Sequence, residues 1–279
     1  MDKASPFVGH SMSELWQERY RLSAPQSLID NETLRVQLSH QSVRDYKADP
    51  LPEGALETGL AAASSAATSC NLQHWSVVVV EDPQKRAKLA ELAGHQNYIK
   101  TAPVFLAWIV DLSRLERLTK YEKLSDEALN YEESHLMAVL DIGITAQNAV
   151  TAFESMGLGT VYIGGLRNNI AAVAELLELP PRSYAVVGLC VGHPASNVTR
   201  HIKPRLSQNV VVHRERYNTE NEADYIADYD KKADDYQQEQ GLPSRRWSQT
   251  VAARVSSLKG LSGRHVVKSV LEKLGFPLK

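Results

Sequence analysis

The sequence predicts an α/β or α+β domain: a sheet of about four strands wrapped on both faces by helices. Three observations carry that prediction. Four short apolar runs, at residues 75–80, 104–110, 161–163 and 185–191, have the length and β-branched content of strands. Segments of helical character lie between them. The chain of 279 residues, 43% hydrophobic and 23% charged, is long and apolar enough to bury a sizeable core.

Taken in order, the elements are as follows. Up to Ser27 the chain is polar and punctuated by Pro and Ser, although residues 13–22 fit a short amphipathic helix. Leu34 and Leu38, spaced i, i+4, place a helix over residues 32–38. Pro50 and Pro52 break the chain, and Pro52-Glu53 opens a helix expected to run through Ala67. Ala61, Ala62, Ala63, Ala66 and Ala67 on it allow close backbone approach to a neighbouring helix or a ligand. The run WSVVVV at 75–80 reads as a strand buried on both faces, and VFLAWIV at 104–110 reads the same way. Residues 161–163 form a shorter strand just ahead of a glycine pair, and AVVGLCV at 185–191 a fourth. Helices are expected over 84–92, 132–156 and 171–177, with Gly157 placed as the residue that ends the long one. Residues 214–240, rich in charge and tyrosine, read as a polar helix. A turn-forming loop at 242–247 and one or two helices over 248–274 follow. This tail fits a surface appendage, or an arm closing over a site. No repeat or low-complexity tract is evident.

Composition excludes several classes. Lys plus Arg (31) nearly balances Asp plus Glu (33), so no global field favours nucleic acid or an anionic membrane. Cys70 and Cys190 fit no zinc spacing, and reduced thiols are expected of them. The N-terminus has no apolar run of signal-peptide length, and no stretch reads as the ~20 apolar residues of a membrane span. A cytoplasmic protein is therefore expected.

Three constellations could carry chemistry. His40-Gln41-Ser42-Val43-Arg44 puts imidazole, hydroxyl and guanidinium at alternate positions, suited to an anion; a polar helix end in solvent fits it too. Lys203-Pro204-Arg205 holds two cations apart on a stiff turn, which also fits a solvated loop. In Tyr162-Ile163-Gly164-Gly165-Leu166-Arg167-Asn168-Asn169 a strand end runs into a glycine pair and a helix. Backbone N–H groups there can approach a flat ligand, or simply make a tight turn. The block is neither a Rossmann fingerprint nor a P-loop. His74 and His95 are isolated histidines and read as ordinary polar positions, and Asp234-Asp235 as a solvated helix face. With no G-x-S-x-G, no H-E-x-x-H and no Cys/His cluster, no protein nucleophile or metal is visible. The difficult chemistry would have to come from a bound cofactor.

In this order, these segments resemble the nitroreductase superfamily, and within it the oxygen-insensitive NADPH nitroreductase and flavin reductase group. The resemblance runs from about Ser39 to the C-terminus. It rests on the H-x-S-x-R start, Thr68-Ser69-Cys70-Asn71-Leu72-Gln73, Gly94-His95-Gln96, the stretch 146–159, the YIGGLRNN block and KPRL downstream. It implies an α+β fold with a central, mostly antiparallel sheet, assembled as an intertwined homodimer that binds FMN. Residues 1–29 would be an N-terminal extension. Residues 30–279 would be a single FMN-binding domain, with 214–260 as a C-terminal excursion or lid. His40, Gln41, Ser42, Val43 and Arg44 would wall the flavin site, with Lys203 and Arg205 completing a cradle for the phosphate and ribityl chain. Thr68 stands where the family uses a serine, with Ser69 and Gln73 beside it. Gln96, Asn97 and Tyr98 match a flavin-contacting segment. Tyr162, Ile163, Gly164 and Gly165 would lie along the isoalloxazine, with a glycine N–H near N5. Arg264, in a turn like the family's Glu-Ser-Arg, is a substrate-side candidate or a solvated turn.

The resemblance further implies a ping-pong cycle. A nicotinamide nucleotide delivers hydride to flavin N5 and leaves, and a nitroaromatic, quinone or flavin then takes two electrons, avoiding an oxygen-reactive nitro radical. A dedicated FMN or quinone reductase, a dehalogenase, or a non-catalytic flavin-binding protein of the same fold are the alternatives. NADPH is expected over NADH, which remains usable. Of the two family arginines that hold the 2′-phosphate, one aligns with Gln240, and the other is represented by Arg245 or Arg246.

Overall fold

The computed structural model describes residues 9–196 and 201–279, and its elements follow the chain as α1 (Met12–Tyr20), α2 (Glu32–Leu38), α3 (Ala55–Ser64), β1 (Trp75–Val80), α4 (Pro83–Leu92), α5 (Tyr98–Thr101), β2 (Val104–Asp111), α6 (Ser113–Tyr121), α7 (Glu132–Ser155), β3 (Gly159–Ile163), α8 (Ile170–Leu176), β4 (Ser183–Gly192), α9 (Gln208–Val211), α10 (Glu222–Glu239), α11 (Trp247–Val255) and α12 (Val267–Lys273). The first eight residues of the expected N-terminal extension, and residues 197–200 ahead of Lys203, lie outside the described part. Two units organise it. One comprises residues 42–196 and 263–279; the other comprises 9–41 and 201–262.

The first unit contains the sheet. Its strand order is β1-β2-β4-β3 and every pairing is antiparallel, so the fold is α+β. Strand β2 is buried along all eight residues, because it is central and covered on both faces. Its alternate side chains enter two different cores, as period 2 requires. Leu106, Trp108 and Val110 pack with Ala138, Ile142, Ala149 and Phe153 of α7 and with Phe276 near the C-terminus. Phe105, Ala107 and Ile109 pack with Leu89 and Ala90 of α4 and Val173 of α8. Strand β1, expected to be buried on both faces, is instead the sheet edge and is half-buried except at Val80. Its composition resembles that of β2, and strand order, which local composition does not encode, sets the difference.

Two helices show how sequence sets element ends. Helix α3 starts after Gly54, whose positive φ of 77° ends the preceding turn, and stops at Ser64, short of the expected Ala67. The Ser64 and Ser65 hydroxyls donate back to the carbonyls of Leu60 and Ala61, competing with continuation of the helix. Its small residues serve helix packing: a Cβ on Gly59 would lie 2.2 Å from the Phe153 ring of α7. Helix α7 ends as expected, with Gly157 at φ 82°. By length and composition alone it could cross a membrane, contrary to the sequence reading that no stretch would. It carries the buried Asp141 and packs Ala138, Ile142, Ala149 and Phe153 into the first core, which makes it a core helix.

The second unit has its own small core of Met12, Leu15 and Ile202, with Leu28, Leu34 and Leu38 packed around it. Ser11 and Glu14 form a reciprocal capping box that starts α1. The polar helix expected over 214–240 begins at Glu222, and its Tyr229 is buried with its ring 5.3 Å from that of Trp247. Asp230, also buried, accepts from the Ser248 N–H at 2.7 Å and so satisfies the first turn of α11. Asp234, expected to be merely solvated, accepts from the Arg245 N–H at 2.8 Å and fixes the loop between α10 and α11.

Candidate functional site

The chain crosses from one unit to the other between Gln41 and Ser42, inside the first motif. Each unit therefore holds its own share of the candidate residues.

In the first unit, Ser42 forms a parallel bridge to Thr160, and the Val43 N–H donates to the Thr160 carbonyl at 2.8 Å. Val43 is buried, its carbonyl accepts from the Tyr46 hydroxyl at 2.7 Å, and a Cβ on Gly159 would meet its side chain at 2.6 Å. All of its bonding capacity is used within the unit, so it anchors its neighbours. Ser42 and Arg44 are exposed on either side, and the Arg44 guanidinium meets only the Ser42 carbonyl, at 3.4 Å, among the described residues. That leaves a fork free for an anion.

Further along β3, Tyr162 is partly exposed, with its hydroxyl 3.5 Å from Gln147 of α7, and burial raises its pKa. Ile163 is fully buried and faces the core. The two glycines differ. A Cβ on Gly165 would lie 2.4 Å from the Ala93 carbonyl oxygen and 2.5 Å from Gln96, so protein packing alone requires glycine there. A Cβ on Gly164 would meet only the flexible Arg167 side chain, at 3.3 Å, which leaves that backbone approachable.

The residues 94–98 adjoin this block. Gln96 donates to the Ala93 carbonyl at 2.8 Å and accepts a short hydrogen bond from Tyr98, so its amide is spent on holding the segment. Asn97 is exposed and makes no side-chain hydrogen bond among the described residues, and is the more available polar group. Arg264, for which a solvated turn was an alternative, is half-buried and donates through Nε to Asn168 at 2.8 Å. Residues 94–98, 162–169 and 264, far apart in sequence, are thereby brought to one corner of the unit.

Thr68, Ser69 and Gln73 form a separate cluster; no hydrogen bond among the described residues joins it to the Tyr162–Asn169 block. Asp141 organises it. Its carboxylate accepts from the Thr68 hydroxyl at 2.6 Å, the Ser69 N–H at 3.2 Å and the His74 N–H at 3.4 Å, and lies 3.0 Å from His74 Nδ1. Burial pushes the Asp141 pKa up, but these hydrogen bonds outweigh it and hold the carboxyl below the ordinary aspartate value. His74 is thus no ordinary polar position but a buried partner of Asp141. The available signal was an aspartate inside the long apolar run 136–150, where an unpaired charge would be costly. The loop so held contains Cys70, Asn71 and Gln73 at positive φ, with Cys70 exposed.

In the second unit, Lys203 and Arg205 are exposed around the buried Pro204, with no ion pair to either among the described residues. Among the described residues the Arg205 guanidinium meets only the carbonyls of Lys203 and Pro204. The side-chain oxygen of Gln41 is buried and has no hydrogen-bond partner, which costs free energy unless a ligand donates to it. His40 starts the same segment, its N–H donating to the Gln37 carbonyl. A ligand with hydroxyls and a phosphate fits these groups.

Arg245 and Arg246 are adjacent and exposed. Arg245 lines a cavity of about 580 Å³ together with Arg254, Lys259, Val251 and Ser257, whereas Arg246 is not among its lining residues. Arg254 and Lys259 were not singled out from sequence, because their place beside Arg245 depends on the turn at Gly260, where a Cβ would strike the Arg254 carbonyl. Among the described residues no His, Cys, Asp and Glu group could hold a metal.

Comparison with known proteins decides the family. The family model described as "Nitroreductase family" matches residues 38–193, and the "Nitroreductase family, C-terminal domain" model matches residues 203–279. The chain belongs to the nitroreductase family. Among its relatives is the FMN reductase [NAD(P)H] of Bacillus subtilis, 37% identical over 253 residues, covering 89% of this chain and 99% of that one. The NADPH-flavin oxidoreductase of Vibrio harveyi is 38% identical over 239 residues, covering 85% and 95%. The solved structure of the Vibrio harveyi NADPH:FMN oxidoreductase complexed with NAD+ superposes with a TM-score of 0.80 at 36% identity, covering 89% of this chain and 100% of that one. The α+β nitroreductase fold expected from the resemblance is therefore the fold observed.

Proposed function

We propose that this nitroreductase-family chain is an FMN-dependent oxidoreductase that takes electrons from NADPH, and less effectively NADH, and passes two of them to nitroaromatic, quinone or flavin acceptors. The observation that carries the proposal lies within the second unit: the cations Lys203 and Arg205, with no ion pair among the described residues, and the buried, unpartnered Gln41 oxygen. Relatives that are FMN reductases and NADPH-flavin oxidoreductases support it.

When bound, FMN supplies hydride acceptance and two-electron transfer, with donor and acceptor using the site in turn. The protein's part is to bind and orient. Lys203 and Arg205 meet the phosphate and His40 and Gln41 the ribityl hydroxyls, and Ser42 and Arg44, next in sequence, supply a further hydroxyl and guanidinium for the flavin. Gly164 would offer its backbone N–H to the flavin, with Tyr162 and Asn97 supplying further polar groups. Gly165 and Gln96 keep that turn in place, and Val43, Ile163 and Tyr98 support it from within the unit. Asp141 holds the Thr68-Ser69 loop in one conformation. Arg245 and Arg246 are the groups proposed for the NADPH 2′-phosphate, and Arg264 acts on the acceptor side.

The working form is a homodimer in the cytoplasm. Leu136, Leu140 and Ile144 support the dimer: they lie at i, i+4 and i+8 on α7, 46–57% exposed, as an apolar stripe beyond the one that packs on the sheet. Purified protein is expected to be yellow, to release FMN on denaturation, and to oxidise NADPH when given a nitrofuran, a quinone or free FMN. Colourless protein that FMN does not reconstitute would overturn the proposal.

A further inference from the structure

Helix α1 lies outside the residues matched by either family model, yet it is built into the second unit. Leu15 is fully buried, and with Met12 it packs on Ile202, immediately before Lys203. Four residues after Leu15, and so on the same face of the helix, comes Arg19, whose side chain is also buried.

The Arg19 guanidinium joins two segments that are far apart in sequence. One terminal nitrogen donates to the Lys203 carbonyl at 2.8 Å. The other donates to the carbonyls of Leu38 and His40, both at 2.8 Å. The Arg19 carbonyl in turn accepts from the Arg205 N–H at 2.9 Å. The Tyr229 hydroxyl donates to the Pro204 carbonyl, also at 2.9 Å. The backbone of residues 203–205 is thus fixed at three successive polar groups, while the Lys203 and Arg205 side chains stay exposed. The segment ending in His40, just before the unpartnered Gln41, is tied to the same guanidinium.

A planar fork of donors suits this task, because it can hold several carbonyls at set angles. Two loops that share one ligand would otherwise be ordered only when the ligand arrives, and that ordering would be subtracted from binding.

We propose that Arg19 is a positioning residue for flavin phosphate binding, supplied by an N-terminal helix outside the family match, which sets the His40-Gln41 and Lys203–Arg205 segments before the ligand binds. The inference rests on the reading of Lys203 and Arg205 as phosphate ligands. FMN and riboflavin differ only in that phosphate, so their affinities report on it separately from the fold.

The test titrates both flavins into the full-length apoprotein by fluorescence quenching, alongside the apoprotein melting temperature. Arg19→Met keeps the stem and removes every donor. It should weaken FMN at least tenfold and riboflavin by a several-fold smaller factor, because the His40-Gln41 segment faces the ribityl chain that both flavins carry whereas Lys203–Arg205 faces the phosphate that only FMN has. Arg19→Lys, which restores the charge at a single point, should recover part of the FMN loss. Parallel losses of both flavins in Arg19→Met, tracking the melting temperature, would overturn the inference. If Arg19→Met does not fold, Arg19→Lys carries the test: a threefold or greater selective loss of FMN supports it, and unchanged affinities overturn it. Lys203→Ala with Arg205→Ala separates the two levels. A selective loss of FMN there, with parallel losses in Arg19→Met, leaves the phosphate reading standing and the inference refuted. If the double variant holds FMN as the parent does, the phosphate reading itself is overturned, and the inference with it.

Discussion

Asp141 illustrates how one side chain can organise a loop that carries no regular structure. Its carboxylate meets Thr68, Ser69 and His74, and the loop between them holds three non-glycine residues at positive φ. Asp141→Ala would leave those donors unsatisfied and should destabilise the fold by about 3–5 kcal/mol, whereas Asp141→Asn should cost about 1–3 kcal/mol, both read by chemical denaturation. The pKa values of Asp141 and Asp111 are both lowered in the folded chain. Each therefore contributes stability that is fully present above the ordinary aspartate value and is lost as pH falls through the lower folded value. Denaturation midpoints should be flat from pH 7 down to about pH 4 and fall below it, less steeply in Asp141→Asn. An identical slope in that variant would show that Asp141 is not part of the acid transition. Of the two arginines proposed for the NADPH 2′-phosphate, Arg245 lines the cavity of about 580 Å³ with Arg254 and Lys259, and Arg246 does not. Arg245→Ala should lower the kcat/KM preference for NADPH over NADH by about ten- to a hundredfold, the worth of one charge-assisted contact, and Arg246→Ala by much less. Gln240→Arg should raise it. Equal ratios in all three would place 2′-phosphate recognition elsewhere.

Among the elements, α7 presents two apolar faces. Ala138, Ile142, Ala149 and Phe153 pack into the sheet, while Leu136, Leu140 and Ile144 remain exposed in a continuous stripe. Ala146 and Ala149 are buried within the chain, so the structural case for the homodimer that the resemblance implies rests on the three exposed residues. Leu140→Lys with Ile144→Ser should convert a dimeric mass to a monomeric one in light scattering at micromolar concentration, with far-UV circular dichroism unchanged. A parent protein that is monomeric while carrying FMN would refute the dimer.

For the whole molecule, ligand binding and stability are linked. A flavin that binds only the folded chain stabilises it by about 2.7 kcal/mol at a hundred times its dissociation constant. At equal concentrations FMN should therefore raise the melting temperature more than riboflavin does, because only FMN carries the phosphate proposed to meet the cations around Pro204. Equal shifts would argue that the phosphate is not recognised.

Much was legible from sequence because it is local. The strand runs at 75–80 and 104–110, helix 32–38 and the Gly157 stop were placed by periodicity, β-branching and turn chemistry, all of which act within a few residues. The motif residues and their family were legible too, since side-chain chemistry at fixed spacing survives in the linear chain. What the tertiary structure alone decided is which neighbours those local pieces acquire. WSVVVV became an edge strand and VFLAWIV a central one, although both read as fully buried. His74 acquired a buried carboxylate from a helix 67 positions away, and Arg264 acquired Asn168 from 96 away. Arg19, unremarkable in a polar N-terminal stretch, became a buried clamp on three carbonyls. The reason is the range of the forces: backbone propensity and side-chain period are set by adjacent residues. Burial and hydrogen-bond satisfaction are set by whatever the completed fold places within a few ångströms.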